Sequence, residues 1–139
     1  MKTIIGTTAI SMLLGISVVA GLEYVYAPSV IAQGQFHPVA HKGSGSAVLC
    51  RLPNGQRSLR LTNFSTASRP DLVVYLISAP DAFDNETVTG SRIMSLGPLK
   101  PAPDGQVYDV PGGVDLSRFH TVIIWSQKYR VNFTTAPLR

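Results

Sequence analysis

This sequence of 139 residues predicts an all-β fold. We expect an antiparallel β-sandwich, or a partly open barrel, of about seven or more short strands. One hydrophobic helix is expected before it. Three observations lead there. Past residue 32 no segment keeps an apolar period of 3.6 residues. Short β-rich runs recur instead, with turn signals between them. Twelve glycines and ten prolines supply those turns. No internal repeat is visible.

The N-terminal segment comes first. Lys2 gives a short positive start, and residues 4 to 22 then carry no charge over 19 positions. A helix of that length reaches about 28 Å, close to the width of a bilayer core. Gly, Thr and Ser interrupt the run. "VIAQ" places Val30 and Ala32 three residues and one residue before a cut, as a signal peptidase site requires. Residues 1–32 are therefore expected to be a signal peptide cleaved after Ala32, with an uncleaved signal anchor as the alternative. Residues 33–139 then form one domain, long enough to fold around a single core.

Within that domain each element has its own cue. "QGQFHPVAHKGSG" (33–45) is a lead-in loop or the first edge. "SAVLCR" (46–51) is β-like and runs into "LPNG", where Asn and Gly supply positive φ. "RSLRLTNF" (57–64) alternates with a period of two, a half-buried strand. "DLVVYLISA" (71–79) is apolar on both faces, a central strand covered twice. Residues 80–91 read as a polar loop. "RIMSLGPL" (92–99) and "QVYDV" (106–110) are short strands, and Asp115 caps a helical turn at 115–119. "HTVIIWS" follows, and then "YRVNFTT", whose alternation predicts one buried and one exposed face. Gln127-Lys128 lacks the Gly or Asn of a tight hairpin, so a bend or bulge is expected near Ser126.

Composition excludes several functions. Net charge is +4, but the arginines beyond residue 32 are scattered and form no basic run. Nucleic-acid binding, which needs a basic stripe or patch, is not expected. A mildly basic surface of this kind gives solubility or loose attraction to anionic envelope polymers. The single cysteine, Cys50, rules out an intrachain disulfide and a Cys-rich zinc site. It reads as a small core residue. No G-x-S-x-G elbow is present, and the acids fall mostly in turns, so enzyme activity is not expected. Asn63, Asn85 and Asn132 match the glycosylation acceptor pattern, which is read as chance.

The order of "GSGSAVL", "LRLTNF", "RPDLVVYL", "LGPLK", "GQVYDVP" and "VIIWSQKYRVNFTTAPL" resembles the DM-thirteen domain from about Phe36 to Leu138. The resemblance implies an extracytoplasmic β-sandwich-like domain, described as an electron-transfer module. It often accompanies DOMON-type domains, which bind haem or sugars. Its proposed chemistry rests on one cysteine directly after the Trp of the "IW" strand, acting as a bare thiol or holding a group such as haem. Here that position is Ser126. A serine hydroxyl cannot enter the thiol oxidation ladder and is a poor ligand for haem iron. Thiol chemistry is therefore expected to be lost, and a non-redox binding or structural module of the cell envelope is the alternative.

Other residues bear on the same question. Cys50 could replace the lost thiol only if the fold brought it near Ser126. Haem could otherwise use His37, His41, His120 or Met94, although no CxxCH attachment motif exists. Trp125, Tyr75, Tyr108 and Cys50 are candidates for a ligand pocket and, failing that, core residues. No metal site and no cofactor in the isolated protein are expected. The partner, an envelope protein or a small ligand, is left open, and membrane contact is expected only through an uncleaved N-terminal helix. Intact-mass measurement of the protein from its host checks the export expectation. A chain beginning at Gln33 is the expected result, and a chain retaining Met1 in the membrane fraction would establish an anchor.

Overall fold

The computed structural model describes residues 28–101 and 106–139. The hydrophobic helix expected over residues 4 to 22 lies outside them. Among the described residues no helix is long and apolar enough to cross a membrane.

The all-β expectation holds: nine strands among the described residues form two antiparallel sheets. The first contains β1 (Ser29–Gln35), β3 (Gly43–Arg51), β4 (Arg57–Thr66) and β7 (Gln106–Val110), in the order β1-β3-β4-β7. The second contains β2 (His37–Pro38), β5 (Leu72–Ile77), β6 (Ile93–Pro98), β8 (Thr121–Ser126) and β9 (Val131–Pro137), in the order β2-β9-β8-β5-β6. The arrangement is sandwich-like. Ala47, Leu49, Leu59 and Leu61 of the first sheet pack with Leu72, Val74, Leu76, Val122 and Ile124 of the second in one core. These residues alternate along their strands, as period-two patterning requires. Each fully buried Leu or Ile there contributes about 1.5–3 kcal/mol.

The lead-in segment is more ordered than a loop. β1 pairs with β3, and Gln33 exchanges two backbone hydrogen bonds with Arg139, at 3.1 and 2.9 Å. The junction expected after Ala32 falls inside β1. Gln33–Gln35 is the part of β1 beyond that junction.

β5 is covered on both faces, as its sequence suggested, and the polar loop provides the second cover. Residues 80–91 contain a short helix, α1 (Asn85–Thr89), capped by Asp84, whose side chain accepts from the Thr87 amide at 2.8 Å. Ala82 and Val88 of this segment pack on Val73, Ile77, Ile123 and Trp125, a second cluster on the outer face of the sheet. Asp115 also caps as expected, on a 3-10 turn at Leu116–Arg118.

Two expectations need correction. β9 is not one-sided: Asn132, Thr134 and Thr135 are buried along with Phe133. Thr134 donates to the His37 carbonyl at 2.6 Å, and the loop over the outer sheet face makes the burial of Asn132 tolerable. The Asn132 amide bonds Thr135 Oγ1 at 2.9 Å, and the Asn132 backbone N–H donates to Asn85 Oδ1 at 2.8 Å. Burial also makes Asn132 unsuited to carry a glycan. Second, β8 and β9 do form a direct hairpin, with Ser126 opposite Val131 and residues 127–130 as its turn. Tyr129 and Arg130 lie in that turn rather than in the strand. Arg130 takes the left-handed conformation (φ 56°) that glycine or asparagine would have advertised. The expected irregularity is also present, as a register shift between Ile124 and Trp125.

Gly45 marks a register shift in the β3–β4 pair. Its φ is 92°, and an added Cβ would lie 2.5 Å from the carbonyl oxygens of Thr62 and Asn63. Gly45→Ala should therefore cost at least about 2 kcal/mol in urea denaturation. Gly55→Ala, at positive φ but with open space around it, should cost about 1 kcal/mol. Equal costs would contradict this reading.

Candidate functional site

Ser126 is the last residue of β8, opposite Leu72, the first residue of β5. That register brings Asp71, one residue before β5, to the mouth of the β8–β9 hairpin. Ser126 has no exposed surface. Its Oγ donates to Asp71 Oδ2 at 2.5 Å and accepts from the Tyr129 N–H at 3.2 Å. The same carboxylate oxygen accepts from the Lys128 N–H at 3.0 Å, and the Asp71 backbone carbonyl accepts from the Gln127 N–H at 3.3 Å. One aspartate thus holds three successive residues of the turn, directly or through Ser126. The bond from the Ser126 hydroxyl, and then that from the Lys128 amide, hold the Asp71 carboxyl below its ordinary value of 3.8.

Ser126 is therefore a hydrogen-bonding residue inside a strand-to-turn corner. A thiol there would face the Asp71 carboxylate, and both burial and a neighbouring negative charge disfavour a thiolate.

Cys50 does not come to this place. It lies in β3 opposite Ser58, near the start of β4, whereas the far end of β4 leads through residues 67–70 to Asp71. From Ser58 to Thr66 a strand spans about 26 Å. Cys50 is only 4% exposed. Burial pushes its thiol pKa up, and nearby Arg60 partly offsets that.

The other pocket candidates are dispersed as well. Tyr75 and Trp125 stack on the outer face of the second sheet, with ring centres 6.2 Å apart. Tyr108 lies in the inter-sheet core, its hydroxyl bonded to the Lys100 amide and to Gln106 Oε1, both at 2.8 Å. Burial raises its pKa. Trp125, Tyr75, Tyr108 and Cys50 therefore do not line one cavity.

The candidate haem ligands have other surroundings. His37 Nε2 lies 2.7 Å from Asp81 Oδ1, and its ring stacks on Phe83. Met94 packs against the inter-sheet core, and His120 is exposed before β8. His41 packs on Phe133, with ring centres 4.0 Å apart, in a depression that contains none of the other three. These side chains do not fit an axial pair for haem. Among the described residues no three His, Cys, Asp or Glu side chains are grouped to hold a metal ion.

Sequence reasoning singled out Ser126 but not its partner. The "RPD" of "RPDLVVYL" was the available signal, an aspartate directly before a two-sided strand.

Two measurements check the corner. Ser126→Ala should lose about 1–2 kcal/mol, because it strips a partner from the Tyr129 amide and from Asp71. Ser126→Cys should lose about as much, since a thiol is a weak donor, and its trapping by a disulfide reagent should be as slow as that of Cys50. Asp71 adds a pH signature. Its folded pKa is lowered, so its contribution is complete above the ordinary value of 3.8 and disappears as the pH falls below that toward the folded value. Asp71→Asn should be less stable than wild type near neutrality, and the two should converge in acid. A constant gap down to low pH would contradict the assignment.

No curated protein and no solved structure matches the chain. The family described as Electron transfer DM13 matches residues 35–138. The match takes in β2 through β9, with Ser126 and Asp71 inside it, and so the chain belongs to the electron transfer DM13 family.

Proposed function

We propose that this chain is an extracytoplasmic accessory module of the electron transfer DM13 family that works without a redox thiol. It acts by binding or by supporting a partner, and it is not an enzyme. One observation carries the reading: at the position where the family keeps its cysteine, Ser126 is fully buried, its hydroxyl committed to Asp71 and to the Tyr129 amide. The remaining thiol, Cys50, is buried at the other end of the sheets, with its pKa raised. Export is supported by the uncharged run at residues 4 to 22 and the "VIA" before Gln33.

The direct test is spectroscopic and electrochemical, on protein purified from its host. The expected result is a colourless protein with no reversible electron uptake and one slowly titrating thiol. A Soret band that survives gel filtration, or a reversible redox wave, would overturn the proposal in favour of cofactor-based electron transfer.

A further inference from the structure

Beyond the question of the thiol, we infer that the end of the sheets around the β4–β5 connection is a binding groove for an acidic polysaccharide. Three depressions, of about 450, 540 and 660 Å³, adjoin one another there. Two meet at Arg69 and Pro70, two at His41, and two along Ser65–Ala67. Their continuity gives an elongated surface, suited to a chain rather than a compact small molecule.

The charges on this surface are mostly positive. Lys42, Arg69 and Lys128 line it, and all three are exposed. The ion pairs found among the described residues, His37–Asp81 and Arg118–Asp115, involve none of them. Among the described residues the one carboxylate in the lining is Asp71, which is engaged by Ser126, the Lys128 amide and the Lys128 charge. The Lys42, Arg69 and Lys128 charges outnumber that carboxylate, and a concave surface of net positive charge focuses its field on an anionic ligand.

The groove also carries an aromatic platform. Tyr129 is 62% exposed, and the Lys128 ammonium lies 5.3 Å from the centre of its ring. A sugar acid matches that pairing, with its C–H face on the ring and its carboxylate on the cation. The walls supply Ser65, Thr66 and the His41 imidazole, groups that hydrogen-bond sugar hydroxyls. A peptide would call for apolar slots that receive alternate side chains. These features favour a uronic acid polymer over an acidic peptide.

The test is calorimetric titration of the protein from its host with polygalacturonate. Dextran, polyglutamate and phosphatidylglycerol vesicles serve as comparators. Polygalacturonate should bind, with affinity falling as salt rises, and dextran should not. Arg69→Gln, Lys128→Gln and Tyr129→Ala should each weaken binding at least about fivefold. All three side chains are exposed, and the Lys128 backbone bond to Asp71 survives its replacement. Arg57→Gln, near the far end of β4, should leave binding unchanged. The inference is overturned by no binding of polygalacturonate, by an equal loss in Arg57→Gln, or by equally tight binding of polyglutamate or vesicles. None of these outcomes depends on whether the protein is redox-active, so this test and the spectroscopic one fail separately.

Discussion

The carboxylate of Asp71 organises one end of the molecule. It sits at the entrance to β5, yet the groups it binds belong to the end of β8 and to the turn beyond it. The turn has no glycine, and its last residue, Arg130, sits at positive φ at a cost that a side chain with a Cβ always bears. Hydrogen bonds from Ser126, Lys128 and Tyr129 offset that cost and fix the β8–β9 register. Bonds to a charged acceptor are stronger than neutral ones, which is why one aspartate can set a hairpin that the local sequence does not encode. The buried residues of β8 and β9 then fall on their proper faces, Ile124 toward the inter-sheet core and Trp125 toward the outer cluster.

The same interaction fixes the part that position 126 plays in this chain. A redox thiol needs exposure and a stabilised thiolate. Position 126 offers neither: it is enclosed, and its nearest polar group is an anion. Serine suits the place because its hydroxyl donates and accepts at once, and both roles are filled. The side chains of Arg69, Lys128 and Tyr129 lie just outside, around the corner that the Lys128 and Tyr129 amides help to build. In this chain the corner is a hydrogen-bonded structural element.

Much of the fold was legible from local pattern. The period of two in "RSLRLTNF", the two-sided run of β5, the span of β7 and the Asp115 cap each rest on residues close in sequence, and each is present. Cys50 was correctly read as buried. What escaped depends on distant partners. Asp71 and Ser126 are 55 residues apart, and no periodicity links them. β9 was read as one-sided because Asn132 and Thr134 alternate with Val131 and Phe133. The burial of Asn132 follows from the α1 segment, some 47 residues earlier, which supplies its hydrogen-bond partners, and Thr134 finds its partner in the His37 carbonyl. α1 itself is a five-residue helix, too short for a period to show, and only the Asp84–Thr87 spacing announced it. The proposed pocket of Trp125, Tyr75, Tyr108 and Cys50 grouped residues by type, whereas strand order and facing decide which of them meet.

The central claim, that Asp71 and Ser126 hold the β8–β9 turn, is tested most directly by amide hydrogen exchange at Lys128 and Tyr129. Both residues lie in an exposed turn, where amides ordinarily exchange freely. In wild type both should be protected well beyond exposed loop amides, and Ser126→Ala should release Tyr129 first. Exchange of both amides at the rate of an unstructured loop in the wild-type protein would contradict the account.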